Sequence, residues 1–328
     1  MKILVYEHIT GGGMLDDPQM AALAPEGELM LRALVDDLTA VPGVEVTVMR
    51  DFRLPADLPA RTLVVHSGQF STVFRRAAQE CDAIWPIAPE QDGILHRLTA
   101  EILARGRTLL GNRLDAVAIA TSKRATAIAL ACAGIPVAPV YSSERELPSV
   151  VHEIVVKPDD GAGCQETLLF DDRAKLLAWL GGCTGAKRIL QPYVRGEARS
   201  LSLLCCEGRA RLLACNRQQV NLRNGAFCFD GVSVNAVDDD GGRYAALADD
   251  IARAMPGLWG YCGVDFIETG TGPVVIEVNP RLTTSYAGLH RAIGCNPAQL
   301  VLALPGSLDA WKGRSRTGVV EVEVTHAG

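Results

Sequence analysis

The sequence predicts an open α/β sheet at the N-terminus, followed by α+β structure in the rest of the chain. Over the first hundred residues, short apolar runs alternate with segments of helical periodicity, a pattern that favours a largely parallel sheet. From about residue 115 onward strands outnumber helices, which is typical of α+β units. A length of 328 residues is sufficient for two or three such units.

The α/β unit is predicted from its apolar runs and two helical segments. The strands are 3–6, 44–48, 63–66, 83–87 and 108–110, and the helices are 26–38 and 94–102. Ligands of such sheets bind at the carboxyl ends of the strands. The glycine-rich loop that carries Glu7, Gly12 and Gly13 and the later loop that carries Glu90 are therefore candidate binding loops.

The α+β region is predicted from a longer series of strands with few helices. The helices are 121–133, 173–180 and 244–255, and the strands are 137–141, 154–157, 188–193, 200–206, 211–216, 264–267 and 274–278. Gly134 and Pro136 end the first of these helices, because glycine stops a helix and proline cannot continue one.

Charge and hydropathy argue against several classes of protein. The net charge is −6, from 38 acidic and 32 basic residues, and no basic stripe is present, which argues against nucleic-acid binding. No apolar run approaches the roughly 20 residues that span a bilayer. The first residues are typical of a strand rather than a signal peptide, so we expect a cytoplasmic protein.

The cysteines and histidines do not predict a disulfide framework or a zinc site. None of the ten cysteines occurs as Cys-x-x-Cys, and the six histidines show no ligand spacing. Free, mostly buried thiols in a reducing compartment are the favoured interpretation. Cys164 lies beside a glycine-rich loop but is interpreted as structural, and His8 as a hydrogen-bonded loop histidine rather than a base.

A candidate metal site follows from two neighbouring apolar strands near the C-terminus. Glu277 and Asn279 lie two residues apart on a predicted strand and therefore point to the same face. Asp265 supplies a second carboxylate from the preceding strand, and Arg281 supplies a cation. Oxygen ligands of this kind suit Mg²⁺ with room left for phosphate oxygens, as nucleotide-dependent phosphoryl transfer requires.

Two of the few lysines are candidate phosphate ligands. Lys157 ends an apolar strand and precedes a loop that contains Gly161 and Gly163, whose backbone N–H groups could contact phosphates. The order differs from that of a P-loop, in which the lysine follows the glycines. An ordinary turn after a strand would look the same, and Lys123, near the start of a helix, could equally be a solvated side chain.

A third candidate segment, 191–197, ends a strand and begins a turn. Its exposed backbone, together with the side chains Gln191, Tyr193, Val194 and Glu197, could contact the edges of adenine and ribose. Taken alone, it is also compatible with a strand followed by a loop.

The order of these segments along the chain resembles the ATP-grasp superfamily, from about residue 112 to about residue 300. The resemblance implies an ATP-grasp fold with a Rossmann-like pre-ATP-grasp domain at 1–112, a small lobe at 113–187 and a large, metal-bearing lobe at 188–328. It also implies an enzyme, an ADP-forming carbon–nitrogen ligase. Homodimers are common among such enzymes, so a homodimer is an expectation of the same resemblance.

The resemblance implies a role for each candidate residue. Lys123 and Lys157 would contact the α- and β-phosphates of ATP, and the Gly161–Gly163 loop would cover the γ-phosphate. Gln191, Tyr193 and Val194 would contact the adenine, and Glu197 would contact the ribose. Asp265, Glu277 and Asn279 would bind two Mg²⁺ ions, which Mn²⁺ could replace. The γ-phosphoryl group would pass to a carboxylate, and an amine would then attack the acyl phosphate, with Arg281 stabilising the charge.

One position departs from the amino-acid ligases of this superfamily. Many of them carry an arginine two residues before the first metal carboxylate, where this chain has Gly263. Arg217 is the candidate substitute and would hold the substrate's α-carboxylate, although a surface arginine is an equally good interpretation.

The segments 6–13, 88–95 and 216–218 resemble a small ATP-grasp group that includes the tyramine–L-glutamate ligases of methanofuran biosynthesis. This resemblance implies that the γ-carboxylate of glutamate is joined to tyramine, or to tyrosine in a bacterium with a related cofactor. The amine would enter near Glu7, the loop with Gly12 and Gly13, and Glu90. Glu7 or Glu90 would act as a base, although Glu90 could instead stabilise a helix N-terminus.

Three alternatives remain open from the sequence. One is another ATP-grasp dipeptide or γ-glutamyl ligase that uses a different amine. Another is an ATP-binding subunit with little turnover. A third is a kinase that releases the phosphorylated product without using an amine.

Overall fold

The computed structural model describes residues 1–161, 163–182, 187–304, 308 and 318–324. The first unit contains, in chain order, β1 (Lys2–Glu7), α1 (Met20–Thr39), β2 (Glu45–Asp51), β3 (Arg61–Val65), α2 (Phe70–Glu80), β4 (Ala83–Ile87), α3 (Ile94–Ala104) and β5 (Thr108–Leu109). Its strands are parallel and lie in the order β3-β2-β1-β4-β5. The predicted strands and the parallel sheet are confirmed.

The rest of the chain forms a second, mainly antiparallel sheet with helices packed on it. Its elements are α4 (Leu114–Thr121), α5 (Lys123–Cys132), β6 (Ile154–Pro158), β7 (Leu168–Phe170), α6 (Arg173–Gly181), β8 (Arg188–Pro192), β9 (Glu197–Cys206), β10 (Arg209–Arg223), β11 (Ala226–Val237), α7 (Arg243–Ala254), β12 (Gly260–Thr269), β13 (Gly272–Asn279), α8 (Tyr286–Ile293), α9 (Pro297–Ala303) and β14 (Val320–Glu323). The strand order is β13-β12-β9-β10-β11-β7-β6-β8, with β14 paired to β11.

Two predicted elements of the second sheet region are wrong in detail. The predicted strand 137–141 is irregular and makes isolated bridges, Val137 to Val275 and Tyr141 to Leu190. Pro136 and Pro139 explain this, because proline has no N–H to donate to a strand ladder. The predicted helix 121–133 is divided at Ser122, whose hydroxyl caps α5 by accepting a hydrogen bond from the Ala125 amide at 3.1 Å.

The second sheet continues through a short junction between β11 and β7. Ala226 pairs with Leu168, the Leu169 amide donates to the Gly225 carbonyl at 2.8 Å, and the Phe227 amide donates to the Thr167 carbonyl at 2.9 Å. Strand β8 pairs with β6, although the predicted division places them in different lobes. The strands that carry the candidate lysine and the candidate metal ligands thus belong to one sheet.

Helix α1 joins the first unit to the second. Its buried Leu31 and Leu34 share one hydrophobic core with Tyr286 and Leu289 of α8. Asp37 of α1 is also buried and accepts a hydrogen bond from the Tyr286 hydroxyl at 2.9 Å. The shared apolar core and the buried hydrogen bond hold the two units together. No helix in the described part of the chain is both long enough and apolar enough to cross a membrane.

We predict that Gly13→Ala destabilises the turn after β1. A β-carbon at Gly13 would lie 2.3 Å from the His8 ring and 2.6 Å from the His8 carbonyl oxygen. Relief of such a clash costs about 1–3 kcal/mol of unfolding free energy, which urea denaturation would measure. Gly270→Ala is the control, since a β-carbon there meets nothing within 4 Å. Equal stability of the two variants would contradict the prediction.

Candidate active site

A cavity of about 450 Å³ lies where β12 and β13 face β6, β8 and the β10–β11 hairpin. The predicted site residues that line it are Lys123, Lys157, Gly161, Gly163, Gln191, Tyr193, Val194, Glu197, Asp265, Glu277, Asn279 and Arg281. Those that do not line it are Glu7, Gly12, Gly13, Glu90 and Arg217. The structure therefore brings together the candidate nucleotide and metal residues and leaves all four candidate amine-binding residues, Glu7, Gly12, Gly13 and Glu90, outside the cavity lining.

The two candidate metal carboxylates are direct neighbours across paired strands. Asp265 of β12 lies opposite Glu277 of β13 in the antiparallel register. The Asn279 amide donates to Asp265 Oδ2 at 3.0 Å, and the Gln218 amide donates to Asp265 Oδ1 at 2.8 Å. Burial, followed by the charge of Glu277, raises the pKa of Asp265 to about 6. Two partly buried carboxylates that repel each other form an environment that a cation stabilises.

This donor set fits Mg²⁺. Asp265, Glu277 and Asn279 offer only oxygen ligands, which is the preference of a hard divalent cation. Among the described residues, no three His, Cys, Asp or Glu side chains cluster as metal ligands. The two carboxylates would therefore need the Asn279 amide oxygen and oxygens from a substrate to complete the coordination, as is usual for Mg²⁺ bound with phosphates.

Two buried lysines face the carboxylates. Lys123, at the first turn of α5, places Nζ 3.0 Å from Glu277 Oε1 and also donates to the Gly161 carbonyl. Lys157, at the end of β6, is only 6% exposed. Burial, followed by the charge of Lys123, lowers the pKa of Lys157 to about 8. A polyanion placed between the two lysines would relieve their mutual repulsion.

We predict that Lys157 makes ATP affinity depend on pH above neutrality. Its pKa of about 8 in the free protein would rise when phosphates bind, because they favour the ammonium form. ATP binding would then take up a proton above about pH 8, so affinity should fall as the pH rises from about 8 to 9.5 and stay level between about 7 and 7.5. Calorimetric titrations with Mg²⁺-ATP would measure this change.

Lys157→Arg is the control for the pH dependence, since arginine stays charged throughout this range. Its affinity should stay level where that of the wild type falls. The same slope in both proteins would assign the pH dependence to another group.

The loop that contains Gly161 and Gly163 is held by hydrogen bonds to the start of α5 and to the first unit. Asp159 Oδ2 accepts from the Ser122 hydroxyl at 2.8 Å, and the Asp159 carbonyl accepts from the Lys123 amide at 2.9 Å. Asp160 Oδ2 accepts from the Asp92 amide of the first unit at 2.8 Å. Position 162 of this loop lies outside the described residues. Burial raises the pKa of the Cys164 thiol to about 12, which favours its protonated form.

The far end of the cavity is suited to a flat, partly apolar group. Gln191 is buried there and donates to the Ala138 carbonyl at 3.3 Å. Tyr193 and Val194 follow it along the wall. An apolar surface that the sequence analysis did not identify completes this end, from Val220, Phe227, Phe229 and Val232 of the β10–β11 hairpin.

Glu197 and Arg217 form an ion pair at the edge of this end. Arg217 Nε lies 2.5 Å from Glu197 Oε1, and the Arg217 side chain is 52% exposed. Arg199 holds the other oxygen of Glu197. Burial acts to raise the pKa of Glu197, but the hydrogen bonds and charges of Arg199 and Arg217 outweigh it, so the pKa is lowered. The structure thus places Arg217 as a half-exposed arginine outside the cavity wall.

Arg281 and Glu90 form a buried ion pair between the two units. Arg281 Nε lies 3.0 Å from each carboxylate oxygen of Glu90, and the side chains are 11% and 3% exposed. Burial acts to lower the pKa of Arg281, but Glu90 outweighs it and the pKa is raised. Glu90 makes no capping hydrogen bond to the turn that follows it. Neither predicted role, base or helix stabiliser, describes this arrangement, because the carboxylate is engaged by Arg281.

The first glycine-rich loop is held by its own residues. Glu7 is buried and accepts from the Thr10 amide at 2.6 Å, from the Thr10 hydroxyl at 2.7 Å and from the Ile9 amide at 3.1 Å. His8 Nδ1 lies 3.0 Å from the Tyr6 hydroxyl, and burial lowers the pKa of His8 to about 4. Gly12 and Gly13 shape this turn and do not reach the cavity.

Two polar side chains that the sequence analysis passed over reach the cavity. Gln218 contacts Asp265 directly, whereas the neighbouring Arg217 was singled out. Adjacent residues of a strand face opposite ways, but which of the two faces the cavity is set by the pairing of β10 with β9 and β11. Glu26 of α1 also lines the cavity, where its Oε1 accepts from the Thr284 hydroxyl at 2.5 Å. No local pattern distinguishes Glu26 from a solvated helix residue.

Comparison with known proteins agrees with this geometry. Residues 120–285 match the ATP-grasp domain family, and residues 44–117 match the pre ATP-grasp 3 domain family. The tyramine–L-glutamate ligase of Methanocaldococcus jannaschii is 29% identical over 212 residues, which are 65% of this chain and 59% of that protein. The tyramine–L-glutamate ligase of Methanocaldococcus fervens is 25% identical over 292 residues, which are 88% and 89% of the two chains. The match to the first relative thus spans less than two thirds of its length.

Solved structures share the fold. An ATP-grasp superfamily protein from Archaeoglobus fulgidus superposes with a TM-score of 0.73 at 22% identity, covering 99% of this chain and 100% of the other. An L-amino acid ligase from Bacillus licheniformis gives a TM-score of 0.65 at 19% identity, covering 92% and 73%. The predicted fold is confirmed, and the names of the relatives agree with the predicted enzyme class. With the two domain families matched in order, the chain belongs to the ATP-grasp family.

Proposed function

We propose that the protein is an ATP-dependent carboxylate–amine ligase that joins the γ-carboxylate of glutamate to tyramine or tyrosine. The observation that carries the reaction class is a cavity in which Lys123 and Lys157 face Asp265 and Glu277, with Arg281 beside them. The substrate pair is taken from the tyramine–L-glutamate ligases that the chain resembles. A role in the biosynthesis of a methanofuran-type cofactor follows from the same resemblance.

In this proposal the cavity divides into a nucleotide end and a reaction end. Adenine would lie against Tyr193 and Val194, with Gln191 contacting its edge and Glu197 the ribose. Lys123 and Lys157 would bind the phosphates, and the γ-phosphate would lie toward the Gly161–Gly163 loop.

At the reaction end, the amide bond would form in two steps. An oxygen of the substrate carboxylate attacks the γ-phosphorus while the bond to ADP breaks, which gives an acyl phosphate. The amine then attacks the carbonyl carbon, loses a proton, and phosphate leaves with the bonding electrons. Arg281 would stabilise the negative charge on the carbonyl oxygen during this second step. Asp265, Glu277 and Asn279 would hold the Mg²⁺ ions, whose contribution is to neutralise phosphate charge.

The residues outside the cavity receive a different assignment. Because Glu7, Gly12, Gly13 and Arg217 do not line the cavity, we assign them no direct contact with substrates. Glu90 would act through Arg281, as a positioning residue. We retain the proposed division into a domain at 1–112 and lobes at 113–187 and 188–328.

The proposal is tested by incubating the purified protein with Mg²⁺-ATP and glutamate, with and without tyramine or tyrosine. ADP release and product mass are followed together. Amine-dependent ADP release with the mass of a glutamyl amide would support the proposal and identify the amine. ADP release with a phosphorylated product and no dependence on any amine would favour a kinase. Tight ATP binding without turnover would favour an ATP-binding subunit.

A further inference from the structure

Glu26 lies on the cavity wall and, unlike Glu197 and Glu277 there, forms no ion pair with a basic side chain among the described residues. The other carboxylates on this wall are Glu197, Asp265 and Glu277. Glu197 is paired with arginines, Glu277 is paired with Lys123, and Asp265 is held by two amides in the proposed metal site. Within the described part of the chain, Glu26 has no ion pair within 4.0 Å, although its charge is among those that raise the pKa of Arg281, and Thr284 is its hydrogen-bond partner.

The free oxygen of Glu26 is directed toward the reaction end of the cavity. Oε1 is occupied by the Thr284 hydroxyl at 2.5 Å. Oε2 lies 3.8 Å from the position that a β-carbon on Gly163 would take, so it faces the glycine loop. Its negative charge therefore lies beside the region that the proposed function gives to the γ-phosphate and the acyl phosphate. An anion at that place repels phosphate unless a cation lies between them.

Both proposed substrates supply such a cation. Glutamate carries an α-ammonium group, and tyramine carries a primary amine that is an ammonium ion at neutral pH. An ammonium donates charge-assisted hydrogen bonds, and a carboxylate is its preferred acceptor. We infer that Glu26 Oε2 is the recognition site for the ammonium group of an amino substrate. The inference rests on the proposed function, and it makes Glu26 of the first domain a specificity residue for a reaction located on the ATP-grasp lobes.

Glu26→Gln tests this inference, because glutamine keeps the size and the Thr284 hydrogen bond but removes the charge. The KM values for glutamate and tyramine are measured separately, each with the other substrate saturating. We expect the KM of one substrate to rise about 10- to 100-fold, the range of a lost charged hydrogen bond, with kcat nearly unchanged. Asp36→Asn is the matched control, since Asp36 is an exposed carboxylate on the same helix.

The two ammonium sources are separated by which KM changes. If the donor is recognised, the KM of glutamate rises, and glutarate, which lacks the α-ammonium, is used equally by wild type and Glu26→Gln. If the acceptor is recognised, only the KM of tyramine rises.

Three results would overturn the inference. These are unchanged KM values for both substrates, an equal rise in both, and a change confined to the Mg²⁺ requirement or to kcat. Failure of the proposed function would look different, since the wild type itself would then release no ADP in response to the amine.

Discussion

Glu277→Gln is expected to lower turnover by about three orders of magnitude while the protein remains folded. Glu277 faces Asp265 across β12 and β13 and lies 3.0 Å from the ammonium group of Lys123. Loss of its charge would weaken the metal site and release a phosphate-binding lysine. Several kcal/mol of transition-state stabilisation then disappear, and each 1.4 kcal/mol or so is a factor of ten in rate.

The measurement is ADP release at saturating Mg²⁺-ATP, with ATP binding followed in parallel. Glu268→Gln is a matched control, because Glu268 lies on the same strand pair and is 12% exposed but contacts Arg243 and Tyr244 outside the cavity. It should keep turnover within about threefold of the wild type, even where it loses some stability. A Glu277→Gln variant that kept a tenth of the activity would contradict the assigned role.

Arg281→Met is expected to remove activity and to destabilise the protein by about 3–5 kcal/mol, because it leaves Glu90 buried without its partner. Glu90 is 3% exposed and receives both of its contacts from Arg281 Nε at 3.0 Å. The free energy of unfolding from urea denaturation measures the loss. Glu90→Gln should also destabilise, since it leaves a buried guanidinium unpaired.

The double variant Glu90→Gln with Arg281→Met separates the two roles of the arginine. It should be more stable than the sum of the single effects predicts, since no buried charge remains unpaired. It should nevertheless stay inactive, because Arg281 would contact the reacting groups. Additive losses of stability would argue against a direct ion pair, and recovered activity would argue against a catalytic role for Arg281.

Local patterns were sufficient to predict the parts of the site that lie on strands. Apolar runs marked β6, β12 and β13, and the alternation along β13 placed Glu277 and Asn279 on one face. The lysine before a glycine loop, Lys157, was found in the same way. Such features depend on neighbours in sequence, which a single chain displays directly.

The parts that were missed depend on contacts between distant segments. Glu90 and Arg281 are separated by 191 positions, so no spacing rule connects them. Glu26 and Thr284 are 258 positions apart and meet only because α1 packs against the second unit. The difference between Arg217 and Gln218 is one of strand register, which β10 acquires by pairing with β9 and β11.

The short junction between β11 and β7 has a mechanical consequence. At this junction the Leu169 and Phe227 amides donate the two backbone hydrogen bonds that connect the β10–β11 hairpin to β7. Strand β7 in turn pairs with β6, which carries Lys157. A rotation of β6–β8 toward β12–β13 would bend the sheet at these two hydrogen bonds rather than separate the long strand ladders on either side. The β10–β11 hairpin carries Gln218 at one place and Phe227 at another, so a nucleotide lying against it would oppose that bending. Occupation of the cavity would thus limit how far the continuous sheet can bend at this junction.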